Sequence, residues 1–211
     1  MKACLRLVPG PILTALLMAV AVAGAVLAPA PASAQEAEVQ IQAHPELNED
    51  GIHVQPWIKY PKVLDIPKAA RTAAEAGKTL MVIYEQPGCV YCRRMHTENF
   101  TNPTLVKYLV KNFDVYQLDM ISDKPVIGPE GETQSQADMA SENRVTGTPT
   151  TLFFDENAEE DFRLPGYLPT GPHYAALQYV VMDGAEGNLS IAGFRTWISA
   201  HSERLTRELE G

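Results

Sequence analysis

A short apolar run that ends in a turn and a pair of cysteines constrains this chain more than any other feature. Thr79-Leu80-Met81-Val82-Ile83-Tyr84 is rich in β-formers and reads as a buried strand. Gln86-Pro87-Gly88 is turn material, and a helix is expected to begin at Cys89. Cys89-Val90-Tyr91-Cys92 therefore sits at a strand–helix junction. Two cysteines three apart at a helix start can close a disulfide. The first lies where free backbone N–H groups and the helix dipole favour an anion. A thiolate there has a lowered pKa, and the thiolate is the attacking species. Arg93 and Arg94 follow and add positive potential.

Other readings of the pair are a purely structural disulfide, half of a zinc site, or a haem attachment. Haem attachment needs His directly after the second Cys, where this chain has Arg93. A zinc site needs more ligands; His96 lies one helical turn after Cys92 and is a third candidate, but no fourth is spaced nearby. A metallochaperone-type module on Cys89, Cys92 and His96 is the alternative from a different functional class. No metal site is expected.

The rest of the chain places this junction in a sheet. Asp65-Ile66-Pro67 predicts a helix start and Gly77 its stop. Asn102-Pro103 is a second helix start, so one bent helix over 89–112 and two separate helices both fit. Leu105, Tyr108 and Leu109 share a face. Phe113 to Met120 reads as a strand, and Ile121 to Gln134 as a loop or loose hairpin. Ser135 to Asn143 is a short helix, Thr150 to Phe154 and Asp161 to Leu164 are strands, and Glu156 to Glu160 is a turn. Pro172 opens a helix, and Ser190 to about Leu209 is a last one with Ile191, Phe194, Trp197, Ile198 and Leu205 on one side. Alternating strands and helices argue for an α/β fold with its sheet covered on both faces. Tyr84, Phe153 and Phe154 are expected in the core.

Composition bounds the function. With 211 residues, 45% of them hydrophobic and 20% charged, one ordinary domain with some decoration is expected rather than a disordered chain. A net charge of −9, with no basic block, makes a poor nucleic-acid ligand. Lys2 and Arg6 precede an apolar run from Ile12 to Leu27, and Ala32-Ser33-Ala34 fits a signal-peptidase site. Residues 1–34 are therefore expected to be a signal peptide cut before Gln35. An uncleaved anchor is the competing reading, although Pro29 and Pro31 break the helix where cleavage needs extended chain. Cleavage removes Cys4 and leaves Cys89 and Cys92 as the two cysteines of an exported protein. In an oxidising compartment such a pair is a small local disulfide or a redox centre. Residues 35–60 are polar and read as a tether or surface-hugging arm anchored by Trp57 and Ile58, which leaves 61–211 as the domain.

Val145-Thr146-Gly147-Thr148-Pro149-Thr150 is the second informative segment. A proline that opens a strand cannot donate to a central ladder, and a cis bond in a tight turn accounts for it. With this segment added, the chain resembles the thioredoxin superfamily. The resemblance implies a thioredoxin fold, a central mixed β-sheet flanked by helices, with helical extensions at both ends. In that superfamily a cis-proline loop packs against the cysteine pair, and the residue before the proline offers backbone hydrogen bonds to a bound cysteine-containing segment. Thr148 and Pro149 carry over as docking residues and Cys89 and Cys92 as the catalytic pair; Tyr91 either tunes the pair or lines the docking groove.

Segments 88–96, 102–103, 145–155 and 163–168 together are similar to exported thioredoxins of the sulfur-oxidation (Sox-type) group. That likeness implies a periplasmic thiol–disulfide oxidoreductase acting as a reductase on protein disulfides, a membrane thiol transporter as electron donor, and a monomer. It implies no prosthetic group, because the cysteines are the redox centre. Tyr91 and Thr148 are similar to their counterparts in periplasmic disulfide isomerases, so a net oxidant or isomerase is the alternative; residues 35–60 are too short for a dimerisation domain. Two positions depart from the family. Gly88 replaces the usual Trp, and Ile83 replaces the buried Asp that accepts a proton. Glu85 can substitute as a proton relay, although a solvated carboxylate at a strand end is the simpler reading. His96 reads as a helix-surface or packing residue.

Overall fold

The computed structural model describes residues 39–183 and 189–210. Seven strands and six α-helices follow one another in the order β1 (Leu64–Asp65), α1 (Ile66–Glu75), β2 (Thr79–Glu85), α2 (Val90–Arg94), a π turn (Met95–Asn99), α3 (Pro103–Asn112), β3 (Phe113–Asp119), β4 (Pro125–Ile127), β5 (Thr133–Ser135), α4 (Gln136–Glu142), β6 (Thr150–Phe154), β7 (Glu160–Pro165), α5 (Thr170–Asp183) and α6 (Ile191–Glu210). The expected leader, residues 1–34, lies outside the described residues. Among the described residues no helix is long and apolar enough to cross a membrane.

The central sheet has the order β3-β2-β6-β7. β2 runs parallel to β3 and antiparallel to β6, which pairs antiparallel with β7. Side chains alternate across a strand, so β2 feeds two cores. Leu80, Val82 and Tyr84 pack on one face with Ala69, Ala70 and Ala73 of α1 and Met139 of α4. Met81 and Ile83 pack on the other with Leu105 and Leu109 of α3, Ala175 and Ala176 of α5, and Phe194, Trp197 and Leu205 of α6. Truncating Leu105 or Leu109 to Ala in such a core costs about 2–5 kcal/mol. Tyr84, Phe153 and Phe154 are buried as expected.

The helix starts follow their caps. Asp65 accepts from the Lys68 amide and Asn102 from the Leu105 amide at 2.9 Å, each with proline in the first turn. Gly77, at φ +68°, closes α1 in the left-handed region. The π turn after α2 ends at Phe100, whose amide donates to the Met95 carbonyl. A fresh N-cap at Asn102 then starts α3, so the 89–112 segment is two helices joined by a π turn.

Two expectations are corrected and one is completed. Of the two readings of residues 121–134, the hairpin holds: β4 pairs antiparallel with β5, and it also pairs parallel with β1, forming a second, three-stranded sheet. Val126, wholly buried, ties it to the α1 face. The helix read from Pro172 begins at Thr170, since a proline in the first turn has no intrahelical N–H bond to lose. Ile191 does not share the buried side of α6; it is 42% exposed at the helix start, while Phe194, Trp197 and Leu205 face inward.

Residues 39–60 lie along the edge of this domain. Gln55 pairs both ways with the Gln42 backbone. Asn48 accepts from the Asp50 and Ile52 amides in a turn around Gly51, at φ +77°. Lys59 pairs parallel with Tyr116 and extends the sheet past β3, donating to the Val115 carbonyl and accepting from the Gln117 amide. Trp57 stands edge-on to Phe100, with ring centroids 4.9 Å apart, and Ile58 packs against the same core.

Candidate active site

β2 delivers the chain to the cysteines. Gly88, at φ +73°, makes the turn, and Cys89 becomes the N-cap of α2, its Sγ accepting from the Cys92 amide at 3.0 Å. That is the position where helix N–H groups stabilise a thiolate. Cys89 and Cys92 are joined in a disulfide, with an S–S distance of 2.05 Å. Cys89 is 9% exposed and Cys92 wholly buried, so the two sulfurs differ in access. Val90 and Tyr91 flank them at 69% and 55% exposure, an apolar rim on the solvent side.

Pro149 comes from the turn before β6. Thr150, the next residue, pairs with Tyr84 of β2, and this register carries the loop to the cysteines. The Thr148–Pro149 peptide bond is cis. The Thr148 hydroxyl donates to Cys89 Sγ at 3.2 Å, and the Pro149 carbonyl accepts from the Gly166 amide at 2.8 Å. Cys89, Cys92, Thr148 and Pro149 thus meet at one end of the sheet.

Tyr91 is held from the side. Its ring stacks on Tyr167 at 6.1 Å. Arg94 lies 4.8 Å over the Tyr167 ring and makes two hydrogen bonds to Glu98, which also accepts from the Tyr167 hydroxyl. Arg94, and after it Tyr167, holds the Glu98 carboxyl below its ordinary pKa. Burial, then Glu98, pushes the Tyr167 phenol up to about 12. Arg94 therefore serves this exposed cluster rather than the sulfurs.

Glu85 requires correction, and His96 is decided between its two readings. Glu85 is not a solvated strand-end carboxylate: it is wholly buried, and its Oε1 accepts from His96 Nε2 at 2.8 Å. Of the two readings of His96, helix surface or packing, the second holds: it too is wholly buried, with Phe100 edge-on at 5.1 Å. The cause is parity. Glu85 still pairs with Asp119 inside the sheet, so it points to the same face as Met81 and Ile83, under α2 and the π turn. Glu85 Oε2 and His96 Nδ1 have no hydrogen-bond partner. Ile83, at the position of the usual buried acid, is core. Among the described residues no group of three or more His, Cys, Asp or Glu side chains is placed to hold a metal ion.

Two polar residues that the sequence did not single out belong to this neighbourhood. His53 packs its ring against His96, centroids 5.5 Å apart. Asn99, buried on the π turn, donates to the Leu168 carbonyl and to His173 Nδ1 and accepts from the Thr170 hydroxyl, tying α5 to the active-site helix. A conspicuously polar pair, His96 and Asn99, three apart beside the apolar Met95 and Phe100, was the available signal for the second.

Among curated proteins, none matches the chain. Among solved structures, it is similar to a thioredoxin-fold protein from Helicobacter pylori, with 18% identity over 78% of this chain and 97% of that one, at a TM-score of 0.53. It is also similar to a thioredoxin from Thermus thermophilus, with 29% identity over 60% of this chain and 92% of that one, at a TM-score of 0.47. The model of the thioredoxin-like domain matches residues 66–181. That span opens at the first residue of α1, takes in the cysteine pair and Pro149, and closes within α5, so the chain belongs to the family of thioredoxin-like domains.

Proposed function

We propose that this protein is a thiol–disulfide oxidoreductase that reduces protein disulfides through Cys89 and Cys92. The observation that carries the reading is the asymmetry of the pair. Cys89 caps a helix, borders solvent and accepts a hydrogen bond from Thr148, whereas Cys92 is wholly buried behind it. In the reduced protein the Cys89 thiolate attacks one sulfur of a target disulfide. The Cys89–target bond forms, the target's own bond breaks, and the second target sulfur leaves as a thiolate. Cys92 then loses its proton and attacks Cys89 Sγ; the intermolecular bond breaks and the target departs with both sulfurs reduced. The cysteines supply both electrons, so no prosthetic group takes part.

Thr148, Pro149 and Tyr91 form the docking edge in this reading. A target segment lies along the loop before β6, with the exposed Val90–Tyr91 rim beside it. The Glu85–His96 pair stands in for the acid that Ile83 replaces and takes the Cys92 proton.

The leader pattern supports export to the periplasm, which N-terminal sequencing of exported protein tests: Gln35 is expected first, and a retained Met1 would refute it. The likeness to Sox-type thioredoxins supports targets in periplasmic sulfur oxidation or cytochrome c maturation, with a membrane thiol transporter returning the protein to its dithiol form. Net reduction, rather than oxidation or isomerisation, needs a potential well toward the thioredoxin end of the range of about −270 to −120 mV. Equilibration with glutathione measures it.

Trapping tests the core of the proposal. Cys92→Ser in cells should leave targets linked to Cys89 as discrete, reductant-sensitive adducts on non-reducing gels, and Cys89→Ser should trap far fewer. Equal patterns from both variants, or none from either during turnover, would overturn it.

A further inference from the structure

Cys92, His96 and Glu85 are all wholly buried. A proton leaving Cys92 therefore has no direct route to water. The Glu85–His96 pair, whose histidine follows Cys92 by one turn, has unused capacity: His96 Nε2 is engaged with Glu85 Oε1, while His96 Nδ1 and Glu85 Oε2 are unpartnered. One half-buried titratable ring packs against His96, and it comes from residues that precede the thioredoxin-like span. That ring is His53, tilted 33° to His96 with centroids 5.5 Å apart.

His53 is held in place by more than its ring. Its carbonyl accepts from Gln117 Nε2 at 2.9 Å, across to β3. It bridges to Leu47 across the Asn48–Ile52 turn, and Ile52 beside it is buried. The same turn lies against the loop that carries the cysteines: a side chain on Gly51 would come within 3.5 Å of Pro87. The segment thus brings a base to a site whose other members all come from the thioredoxin-like span.

We infer that His53 connects the buried Glu85–His96 pair to solvent and passes on the proton that Cys92 releases when it resolves a mixed disulfide. The inference rests on the reading of Cys92 as the resolving thiol. The proton moves from Cys92 Sγ to the Glu85–His96 pair, then through one bridging water to His53, whose ring packs on His96 without a direct hydrogen bond, and on to bulk water. The Cys92 thiolate takes the bond to Cys89 Sγ, and the target sulfur leaves with its electron pair and is protonated by solvent. Glu85, His96 and Arg93 are the charged or titratable groups that act on His53. Burial, then His96, lowers its pKa, Arg93 adds to this and Glu85 opposes it. His53 therefore stands neutral at neutral pH and is able to accept a proton. Because it acts through His96, His53 is a positioning residue for proton transfer.

The experiment is acid-quenched single turnover of the reduced protein with a disulfide peptide, followed by intact mass, across pH. It separates formation of the Cys89 adduct from its resolution. His53→Phe keeps a ring against His96 but removes both nitrogens; His53→Gln keeps polarity and serves if the Phe variant does not fold. Adduct formation should match wild type, whereas resolution near neutral pH should slow by about tenfold. Added imidazole should restore it in proportion to its concentration. A wild-type rate and pH profile in both variants would overturn the inference, as would slowing at every pH with no response to imidazole. Failure of the wild type itself to form an adduct would instead sink the oxidoreductase reading, so the two failures are distinguishable.

Discussion

Acidification should destabilise the folded protein through His173 well before the carboxylates titrate. His173 is buried on α5, and its Nδ1 sits 2.7 Å from Asn99 Nδ2. Asn99 is fixed in that orientation, because its amide also donates to the Leu168 carbonyl and its carbonyl oxygen accepts from Thr170. Nδ1 must therefore accept, leaving the ring proton on the unpartnered Nε2. Charging the ring would put a second proton against the Asn99 amide in a dry site. Burial accordingly holds the His173 pKa down at about 4. The unfolded chain binds this proton from about pH 6.5 downward and the native protein only near 4, so stability falls with pH across that window, by about 3 kcal/mol in all. Between about pH 7.5 and about pH 4.5 the loss should be about 2.5 kcal/mol. His53, also held down by burial, acts in the same direction. Asp50, Glu98 and Glu208 are held below their ordinary values and lose their contribution only at lower pH. Urea unfolding of the oxidised protein, followed by circular dichroism at both pH values, measures the effect. His173→Gln still offers Asn99 an acceptor but does not titrate, so its loss should be smaller than wild type's by about 2.5 kcal/mol. Equal losses in the two proteins would refute the reasoning, whatever the variant's stability at neutral pH.

Two further outcomes are expected. Thr148→Val removes the hydroxyl that donates to Cys89 Sγ at 3.2 Å while keeping the side-chain shape. A hydrogen bond to a charged acceptor is worth about 1.5–3 kcal/mol, so the reduced variant should carry at least roughly tenfold less Cys89 thiolate at a given pH; an unchanged ultraviolet thiolate titration would contradict this. Asn102→Ala removes the cap on the Leu105 amide and should cost about 1 kcal/mol in thermal or urea unfolding, whereas Asn102→Asp should retain most of it; equal stability of all three proteins would count against the cap.

Much of this fold is legible locally. The run from Thr79 into Glu85 is long enough for its character to show, and Asp65 and Asn102, each followed within two residues by proline, mark helix starts by their own chemistry. β4 and β5 show in the sequence only as a loose hairpin, because three residues are too few to display a period, and the pairing of β4 with β1 comes from the tertiary fold. The burial of Glu85 was readable in part. Counting by twos from Met81 places it on the face that α2 must cover, but a carboxylate at a strand end suggests solvent until its partner is known. That partner, His96, lies on another element, and His53 reaches the pair only after the chain has wrapped around the sheet edge. Such contacts are properties of the assembled tertiary structure, with no trace in local composition.

The π turn between α2 and α3 bears on how this domain tolerates changes in chain length. An α-helix advances about 100° per residue, so a turn that seats one residue more than an α-turn lets the helices before and after it keep independent phases. Here the phase before it aims the cysteines at Thr148, and the phase after it aims Leu105 and Leu109 into the core. Thr97 and Glu98 lie on the outer side of the turn. Removing one residue there would close the turn to an α geometry, and the non-helical step over 100–102, ahead of the fresh cap at Asn102, would have to take up the change of phase of about 100°. Insertions and deletions are usually absorbed by loops; here the π turn and the short step to Asn102 together set how far the cysteine helix and α3 can shift against each other.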